Sequence, residues 1–298
     1  MTVPDLPRTI FWIALAATLG LGQAALAQDA AEGQGAEESQ GLGAQLGGDD
    51  EPIAIDASES LEWLSEEQLY VARGDARMRQ GDTEIQADVL TAAYRELPGG
   101  GTEIYRATAE GNVVITTPTE TVTGDHGVYE LDEDTFVLTG DNLRLETPTE
   151  TITARDSLEY RQADQLAIAR GDAVAIRPNE SGGQDRIEAD VLTAEFVEGE
   201  DGSLVIDVVN AEGNVVITTA TDVARGSEGV YDVTEQIATL SGDVRLTRGD
   251  NQLNGERAEV DLETGVSRLL AGSDGRVRGL LVPSDGNGEG AGEGQEAQ

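Results

Sequence analysis

The sequence predicts an all-β protein because it contains a long internal repeat, alternating apolar residues and little proline. The nine residues AEGNVVITT run from Ala109 to Thr117 and return from Ala211 to Thr219, 102 positions later. Within the first copy, Val113 and Ile115 lie two positions apart, which is the period of a strand with one buried face. The content of Val, Ile, Thr and Tyr fits pleated sheets.

The repeat extends far beyond these nine residues. IQADVLTAAY, beginning at Ile85, returns as IEADVLTAEF, beginning at Ile187. Five additional residues near Pro178 change the offset between the two copies. Residues 55–145 are therefore duplicated as residues 152–246.

A shorter period runs inside each copy, marked by a glycine that is usually followed by Asp or Asn. These residues tolerate the positive φ of tight turns, so we expect a turn before each strand. The segment after Gly140 holds one residue more than its counterpart, which predicts a β-bulge there. The marker glycines are Gly74, Gly111, Gly140, Gly171, Gly213, Gly242 and Gly275.

The composition also predicts the domain organisation. Residues 1–27 have the features of a cleaved secretory signal peptide: one internal basic residue, an apolar run and an Ala-Leu-Ala cleavage site. Residues 28–51 and 283–298 are acidic and glycine-rich with few large apolar side chains, so we expect disordered arms. Residues 52–282 then form the β domain, and residues 247–282 supply its C-terminal strands.

The charge and cysteine content exclude several classes of protein. There are 58 acidic and 19 basic residues, all of the latter arginine, for a formal net charge of −39. Such a charge repels polyphosphate backbones, so we expect no nucleic acid partner. The chain has no cysteine, so no disulfide can stabilise it.

Candidate catalytic and metal-binding residues are few. His126 is the single histidine, and its counterpart in the second copy is Glu228, so we expect a solvated turn residue. The Arg-Gly-Asp triplets at Arg73, Arg170 and Arg248 are explained by turn chemistry. A calcium-binding solenoid needs a nine-residue period, which is absent. We therefore predict no enzymatic activity, no cofactor and no metal site.

The apolar face of the strands is the remaining candidate site. Its mostly aliphatic side chains suit an acyl chain as well as they suit packing across an ordinary sandwich core, and the residues alone leave both interpretations open. The candidate groove residues are Val113, Ile115, Phe136, Leu138, Leu143, Leu145, Val215, Ile217, Leu240, Val244 and Leu246.

Several motifs together resemble the OstA/LptA family of periplasmic lipopolysaccharide-transport proteins. They are AEGNVVI, GVY and LSGDVRL, with IAIDASESLEWLSEEQLYVARGDA near the start of the domain. The resemblance spans nearly all of residues 52–282. It implies an elongated, twisted antiparallel β-jellyroll, open at both ends, with acyl chains held between its two sheets.

The resemblance also implies a function and partners. The chain would be a periplasmic carrier that binds lipopolysaccharide and forms part of a bridge from the inner to the outer membrane. Its partners would be the inner-membrane-anchored and outer-membrane components of that bridge, and copies would join end to end by edge-strand pairing. The alternatives are the membrane-anchored or receptor-type partner of the same family, a structural β-solenoid or adhesin, and a carbohydrate-active enzyme.

Overall fold

The computed structural model describes residues 53–178, 183–199, 204–261, 267–272 and 275–282. Apart from one 3-10 turn at Leu131–Glu133, the regular elements are all strands. Their bounds are β1 Ala54–Asp56, β2 Ser60–Leu64, β3 Leu69–Gln80, β4 Thr83–Glu96, β5 Thr102–Thr116, β6 Thr121–Glu130, β7 Thr135–Thr139, β8 Leu143–Glu146, β9 Thr151–Ala154, β10 Ser157–Arg161, β11 Leu166–Pro178, β12 Gln184–Glu198, β13 Leu204–Thr218, β14 Asp222–Asp232, β15 Ile237–Arg248, β16 Asn251–Asp261, β17 Ser267–Leu270 and β18 Arg278–Leu280.

Three of the segments predicted from the sequence lie outside the described residues. They are the signal peptide at residues 1–27 and the arms at residues 28–51 and 283–298. All eighteen strands fall within the predicted β domain, residues 52–282. In the part of the chain that the structure describes, no helix is long and apolar enough to span a membrane.

The strands form a single antiparallel sheet that is divided into two layers. Ten long strands, β3 to β6 and β11 to β16, contribute one half to each layer. Four of them, β3, β6, β11 and β16, pair with two different short strands, one in each layer. For example, residues 69–73 of β3 pair with β2, whereas residues 77–79 pair with β1. We call the layer that contains β2, β7, β10 and β17 layer A, and the layer that contains β1, β8, β9 and β18 layer B.

This topology confirms the predicted antiparallel β-jellyroll. Every pair of neighbouring strands in the described residues is antiparallel, including β2 with β3 and β16 with β18. A solenoid of parallel strands, one of the alternatives left open by the sequence, is therefore wrong.

The boundary between the layers is a row of β-bulges that we call the crease. At each bulge a glycine and the following Asp or Asn, with φ between 40° and 82°, oppose a single residue of the neighbouring strand. The sequence predicted turns at these positions. That prediction was wrong because bulges and tight turns use the same left-handed conformation. The crease comprises Gly74-Asp75, Gly111-Asn112, Gly171-Asp172, Gly213-Asn214 and Gly242-Asp243.

Two marker glycines differ from the others. At Gly140, which has φ 142°, the strand is interrupted, and residues 140–142 separate β7 from β8. The backbone N–H of Asp141 donates to the Asp125 carboxylate at 2.7 Å, which holds the interruption against β6. The predicted bulge is therefore a full break in the strand. Gly275 lies outside the strands, ahead of β18.

Side chains of neighbouring strands cover the crease and require glycine there. A Cβ atom on Gly111 would lie 2.1 Å from Oδ2 of Asp88. The Asn112 side-chain amide donates to both oxygens of the same carboxylate, at 3.2 and 3.0 Å. In the second copy Asn214 donates to Asp190 in the same way, at 3.1 and 3.0 Å. Each copy thus locks its central bulge with an Asn–Asp pair.

The two layers face each other across an apolar interior. Leu138 of layer A is fully buried and leans over Gly124 of layer B, where a Cβ atom would lie 2.7 Å from its Cγ. Leu240 covers Gly226 at the same distance in the second copy. The two layers approach closely beside the crease because, in each copy, a leucine of layer A packs against a glycine of layer B that has no side chain.

We expect Gly111→Ala to destabilise the fold. Alanine is strained at φ +77°, by about 1–2 kcal/mol, and its methyl group would also displace Asp88. Urea denaturation of the full chain measures the free energy of unfolding. Gly99→Ala is the matched control, because no atom lies within 4 Å of its added methyl group. Equal stability of the two variants would contradict the role of the crease.

Candidate functional site

The interior between the layers contains two apolar cavities, one in each copy of the repeat. The first has a volume of about 70 Å³. Side chains of both layers line it, so it lies between them and not within one sheet. They include Ile85 and Ile115 from layer B and Leu90, Tyr129 and Phe136 from layer A.

The second cavity has a volume of about 50 Å³ and a mostly aliphatic lining, to which Glu150 and Glu159 also contribute. Typical small-molecule sites have volumes of roughly 300–1,000 Å³, so side chains of the protein fill most of the interior in this conformation. A larger ligand must therefore separate the layers. The lining of the second cavity includes Leu145, Ile152 and Ile187 from layer B and Leu158 and Leu192 from layer A.

The first cavity lies next to the N-terminal edge of the sheet. Ile55 and Leu61 line it and are themselves 38% and 63% exposed. Nearby on β2, Trp63 is 67% exposed, stacks on Tyr70 with ring centroids 6.0 Å apart, and donates its indole N–H to the Tyr94 hydroxyl at 2.8 Å. This end therefore presents apolar and aromatic side chains to solvent. Sequence analysis did not single out this cluster.

The structure places all eleven predicted groove residues in the interior. Ile217 and Leu246 are half-buried, and the other nine are buried. Ile115 and Phe136 line the first cavity, and Leu145 lines the second. The other eight line neither cavity. The nine buried residues are Val113, Ile115, Phe136, Leu138, Leu143, Leu145, Val215, Leu240 and Val244.

A row of polar side chains, which sequence analysis missed, borders the apolar interior. The row follows the hairpin ends of layer B on the side opposite the crease. It contains five of the six buried polar residues among those described. We call this set the polar row; its members are Gln80, Thr83, Thr117, Glu120 and Glu150.

Three hairpins of layer B share one local structure, encoded as Thr-x-Thr-Glu or Thr-x-Thr-Asp. In the first, the Glu120 N–H donates to the Thr117 hydroxyl at 3.0 Å, and the Thr117 N–H donates to the Glu120 carbonyl at 2.9 Å. Residues 147–150 and 219–222 repeat both contacts. The recurrence of TPTE, TPTE and TATD was the available sequence signal. Each hairpin ends in a carboxylate on the interior side.

Arginine accompanies two of these carboxylates. Arg248 lies opposite Asp222 and donates to it at 2.6 and 2.8 Å, and these hydrogen bonds lower the pKa of Asp222. Arg177 Nη1 lies 4.0 Å from Glu150 Oε1, in a pair whose carboxylate is only 3% exposed. Both acids are therefore balanced by a cation on the neighbouring strand.

In the part of the chain that the structure describes, no cation forms an ion pair with Glu120. It is 6% exposed, its Oε2 atom is buried without a hydrogen bond, and burial raises its pKa to about 8. Across the interior, burial raises the pKa of the Tyr160 hydroxyl, and the charges of Asp134 and Glu120 raise it further. Glu120 is therefore a mostly neutral acid at pH 7 that faces a tyrosine of the opposite layer.

The structure also locates His126 and the arginines of the three Arg-Gly-Asp triplets. His126 lies within β6 and not in the predicted turn, with Nε2 4.0 Å from Glu110 Oε1 and its side chain 46% exposed. Arg73 and Arg170 precede bulges of the crease, and Arg248 precedes the turn between β15 and β16. Across the described ranges, no three His, Cys, Asp or Glu side chains are grouped to hold a metal ion.

Comparison with known protein families shows which family the chain belongs to. The model described as "LptA/(LptD N-terminal domain) LPS transport protein" matches it twice, over residues 55–165 and 151–266. The chain belongs to this LptA/LptD N-terminal family. Together the two matches span most of the chain, and they overlap at β9 and β10. This member of the LptA/LptD N-terminal family therefore contains the family unit in tandem.

Two individual proteins resemble this LptA/LptD family member. An uncharacterized protein of Rhizobium meliloti (strain 1021) is 31% identical over 139 residues, which are 45% of this chain and 73% of that protein. The crystal structure of LptH, the LptA-homologous periplasmic component of the lipopolysaccharide transport device of Pseudomonas aeruginosa, aligns at 12% identity over 78% of this chain and 96% of LptH. Its TM-score of 0.20 adds nothing to the family match.

We expect the stability of the protein to fall as pH rises, through Glu120. Its pKa is raised from 4.5 when unfolded to about 8 when folded, so the folded state binds the proton more tightly. The stabilisation is complete below pH 4.5 and is lost towards pH 8, by at most about 1.4 kcal/mol per pH unit. Glu120→Gln removes this titration.

Urea denaturation of both proteins across this range measures the difference. The two should be similarly stable at low pH, where Glu120 is neutral, and Glu120→Gln should be the more stable at pH 8. A difference between them that does not change with pH would contradict the assignment.

Proposed function

We propose that this chain is a periplasmic carrier of lipopolysaccharide that forms part of a protein bridge from the inner to the outer membrane, and that it catalyses no reaction. The observation that carries the proposal is the apolar interior between the layers, which extends through both copies of the family unit. Most of the side chains that line its cavities and edge are aliphatic or aromatic, the surroundings that acyl chains prefer.

Acyl chains enter, on this proposal, by separating the layers. The layers are joined along the crease, where the long strands pass from one to the other, so they can open on the side of the polar row. Each buried methylene contributes about 0.8 kcal/mol, and several chains outweigh the repulsion between the anionic protein and an anionic glycolipid. The eleven groove residues then become the surface that the chains contact.

The two ends of the sheet support a proposal of end-to-end joining, with copies of this chain or with family members anchored at either membrane. Nine of the thirteen exposed large apolar residues among those described lie at the edges. Such edges are templates for strand addition. The nine are Ile53, Ile55, Leu61 and Trp63 at one edge and Leu270, Val277, Leu280, Leu281 and Val282 at the other.

Charge favours one orientation of this joint. The N-terminal edge carries Asp56 and Glu62, whereas the C-terminal edge carries Arg276 and Arg278. Opposite charges would meet when the C-terminal edge of one copy approaches the N-terminal edge of the next, and like charges would meet in the other pairings.

A photo-crosslinking amino acid at Ile115 or Leu145 should capture lipopolysaccharide in cells, because both side chains line a cavity. Matched controls at Val114 and Arg144 point to the outer face, since a shift of one residue reverses the face of a strand. Mass spectrometry of the crosslinked protein identifies the lipid. Equal capture at interior and outer positions, or capture at none, would refute the carrier proposal.

Reversal of charge at one edge should weaken end-to-end association. We expect the double variant Arg276→Glu, Arg278→Glu to sediment as a smaller species than the wild type at low salt, because it places acids against Asp56 and Glu62. Arg245→Glu, on the outer face away from the edges, is the control. Analytical ultracentrifugation reports the mass, and unchanged association of the double variant would contradict this joint.

A further inference from the structure

The three Thr-x-Thr-acid hairpins have different residues opposite the acid on the neighbouring strand. Arg248 lies opposite Asp222 in the ladder between β14 and β15. Thr151 pairs with Ile176, so the adjacent position brings Arg177 opposite Glu150. By the same geometry, Thr121 pairs with Glu146, which brings Thr147 opposite Glu120. A threonine therefore stands at the position that holds arginine in both counterparts.

The carboxyl group of Glu120 is aimed into the interior. Glu120 immediately precedes β6 and is 6% exposed, and Val122, two residues further along the chain, is fully buried. The hairpin is held by the same hydrogen bonds as its counterparts, so the absence of arginine does not reflect a different backbone. A buried polar atom without a hydrogen-bond partner destabilises the protein, and a bound donor would relieve this cost.

The position of Glu120 indicates which kind of donor fits. In layer B, β6 lies between β5, whose Ile115 lines the first cavity, and β8, whose Leu145 lines the second. A ligand that contacts Glu120 therefore places its attached groups in aliphatic surroundings on either side. This combination suits an amphiphile better than a free ion or a protein side chain.

We propose that Glu120 is a binding site for the primary amine of an amine-bearing amphiphile, whose acyl or alkyl chain lies in the adjacent apolar interior. This inference rests on the proposed lipid-binding function and adds a recognised headgroup to it. The ammonium group takes the place that the guanidinium groups of Arg177 and Arg248 occupy beside Glu150 and Asp222. It donates N–H hydrogen bonds to the Glu120 carboxylate.

Binding is accompanied by loss of a proton from Glu120. The free carboxyl is mostly protonated at pH 7, because burial raises its pKa to about 8. The ammonium ion stabilises the carboxylate, so the proton passes to the buffer while the amine keeps its own. Among the described residues, the titratable group whose charge interaction with Glu120 is resolved is the Tyr160 hydroxyl, which supplies no competing cation.

Isothermal titration calorimetry of the full chain at pH 7 tests the proposal with monomeric dodecylamine, dodecyltrimethylammonium and dodecyl maltoside. Dodecyltrimethylammonium carries the same charge without an N–H donor. We expect the wild type to bind dodecylamine about tenfold more tightly than dodecyltrimethylammonium. Titrations in buffers of different ionisation enthalpy should show proton release with dodecylamine.

Two variants locate the effect. Glu120→Gln should remove both the preference and the proton release, and Thr147→Arg should remove them by supplying the arginine of the counterparts. Glu146→Gln is the matched control, since it removes an acid from the adjacent outward-facing position. Thr147→Arg keeps Glu120 in place, so it tests the site even where Glu120→Gln fails to fold.

The outcomes separate the two proposals. A wild type that binds all three amphiphiles with equal affinity, or variants that keep the preference, would overturn the amine site and leave acyl-chain binding intact. If none of the three amphiphiles binds, both the carrier proposal and the amine site are overturned.

Discussion

The crease is the constraint on which the rest of the structure depends. Five Gly-Asx bulges in the long strands share the left-handed conformation, and each lets a strand leave one layer and enter the other. Without them, alternating residues would cover one face of a single sheet and have nothing to pack against. With them, Leu138 and Leu240 reach the glycines of the opposite layer. The apolar interior is thus a product of backbone conformation as much as of hydrophobic pattern.

The sequence specifies the strands better than it specifies the crease. Alternation at Val113 and Ile115 gives the buried face directly, because the side-chain period of a strand is fixed by its geometry. The Gly111-Asn112 pair shows that a left-handed conformation is required, but a hairpin turn and a bulge both satisfy it. Only the register of the neighbouring strand, with Asp125 opposite the pair, distinguishes them.

The candidate site was predicted in part: the interior location of the eleven residues is observed, and their contact with a lipid stays a prediction. The aliphatic interior follows from the same alternation as the fold, so the eleven residues could be named in advance. Glu120 could not, because it is one of 58 acids and its neighbour Thr147 is 27 positions away in the sequence. Glu120 is distinctive because its carboxyl group is buried without a hydrogen bond to Oε2 and without a neighbouring arginine. This difference is seen only when the three hairpins are compared in the structure. The TPTE and TATD repeats mark the three hairpins, but the residue opposite each acid is known only from the strand pairing.

The short strands β7 to β10 join the two copies of the family unit, and this has a consequence for length. In layer A, β7 pairs directly with β10, and in layer B, β8 pairs with β9, so the seam between units is built from the same ladders as the units themselves. A further unit inserted at the seam would extend the molecule by one more span while both terminal edges stayed unchanged. Additional units would thereby lengthen the molecule without any change in the contacts that its two terminal edges make.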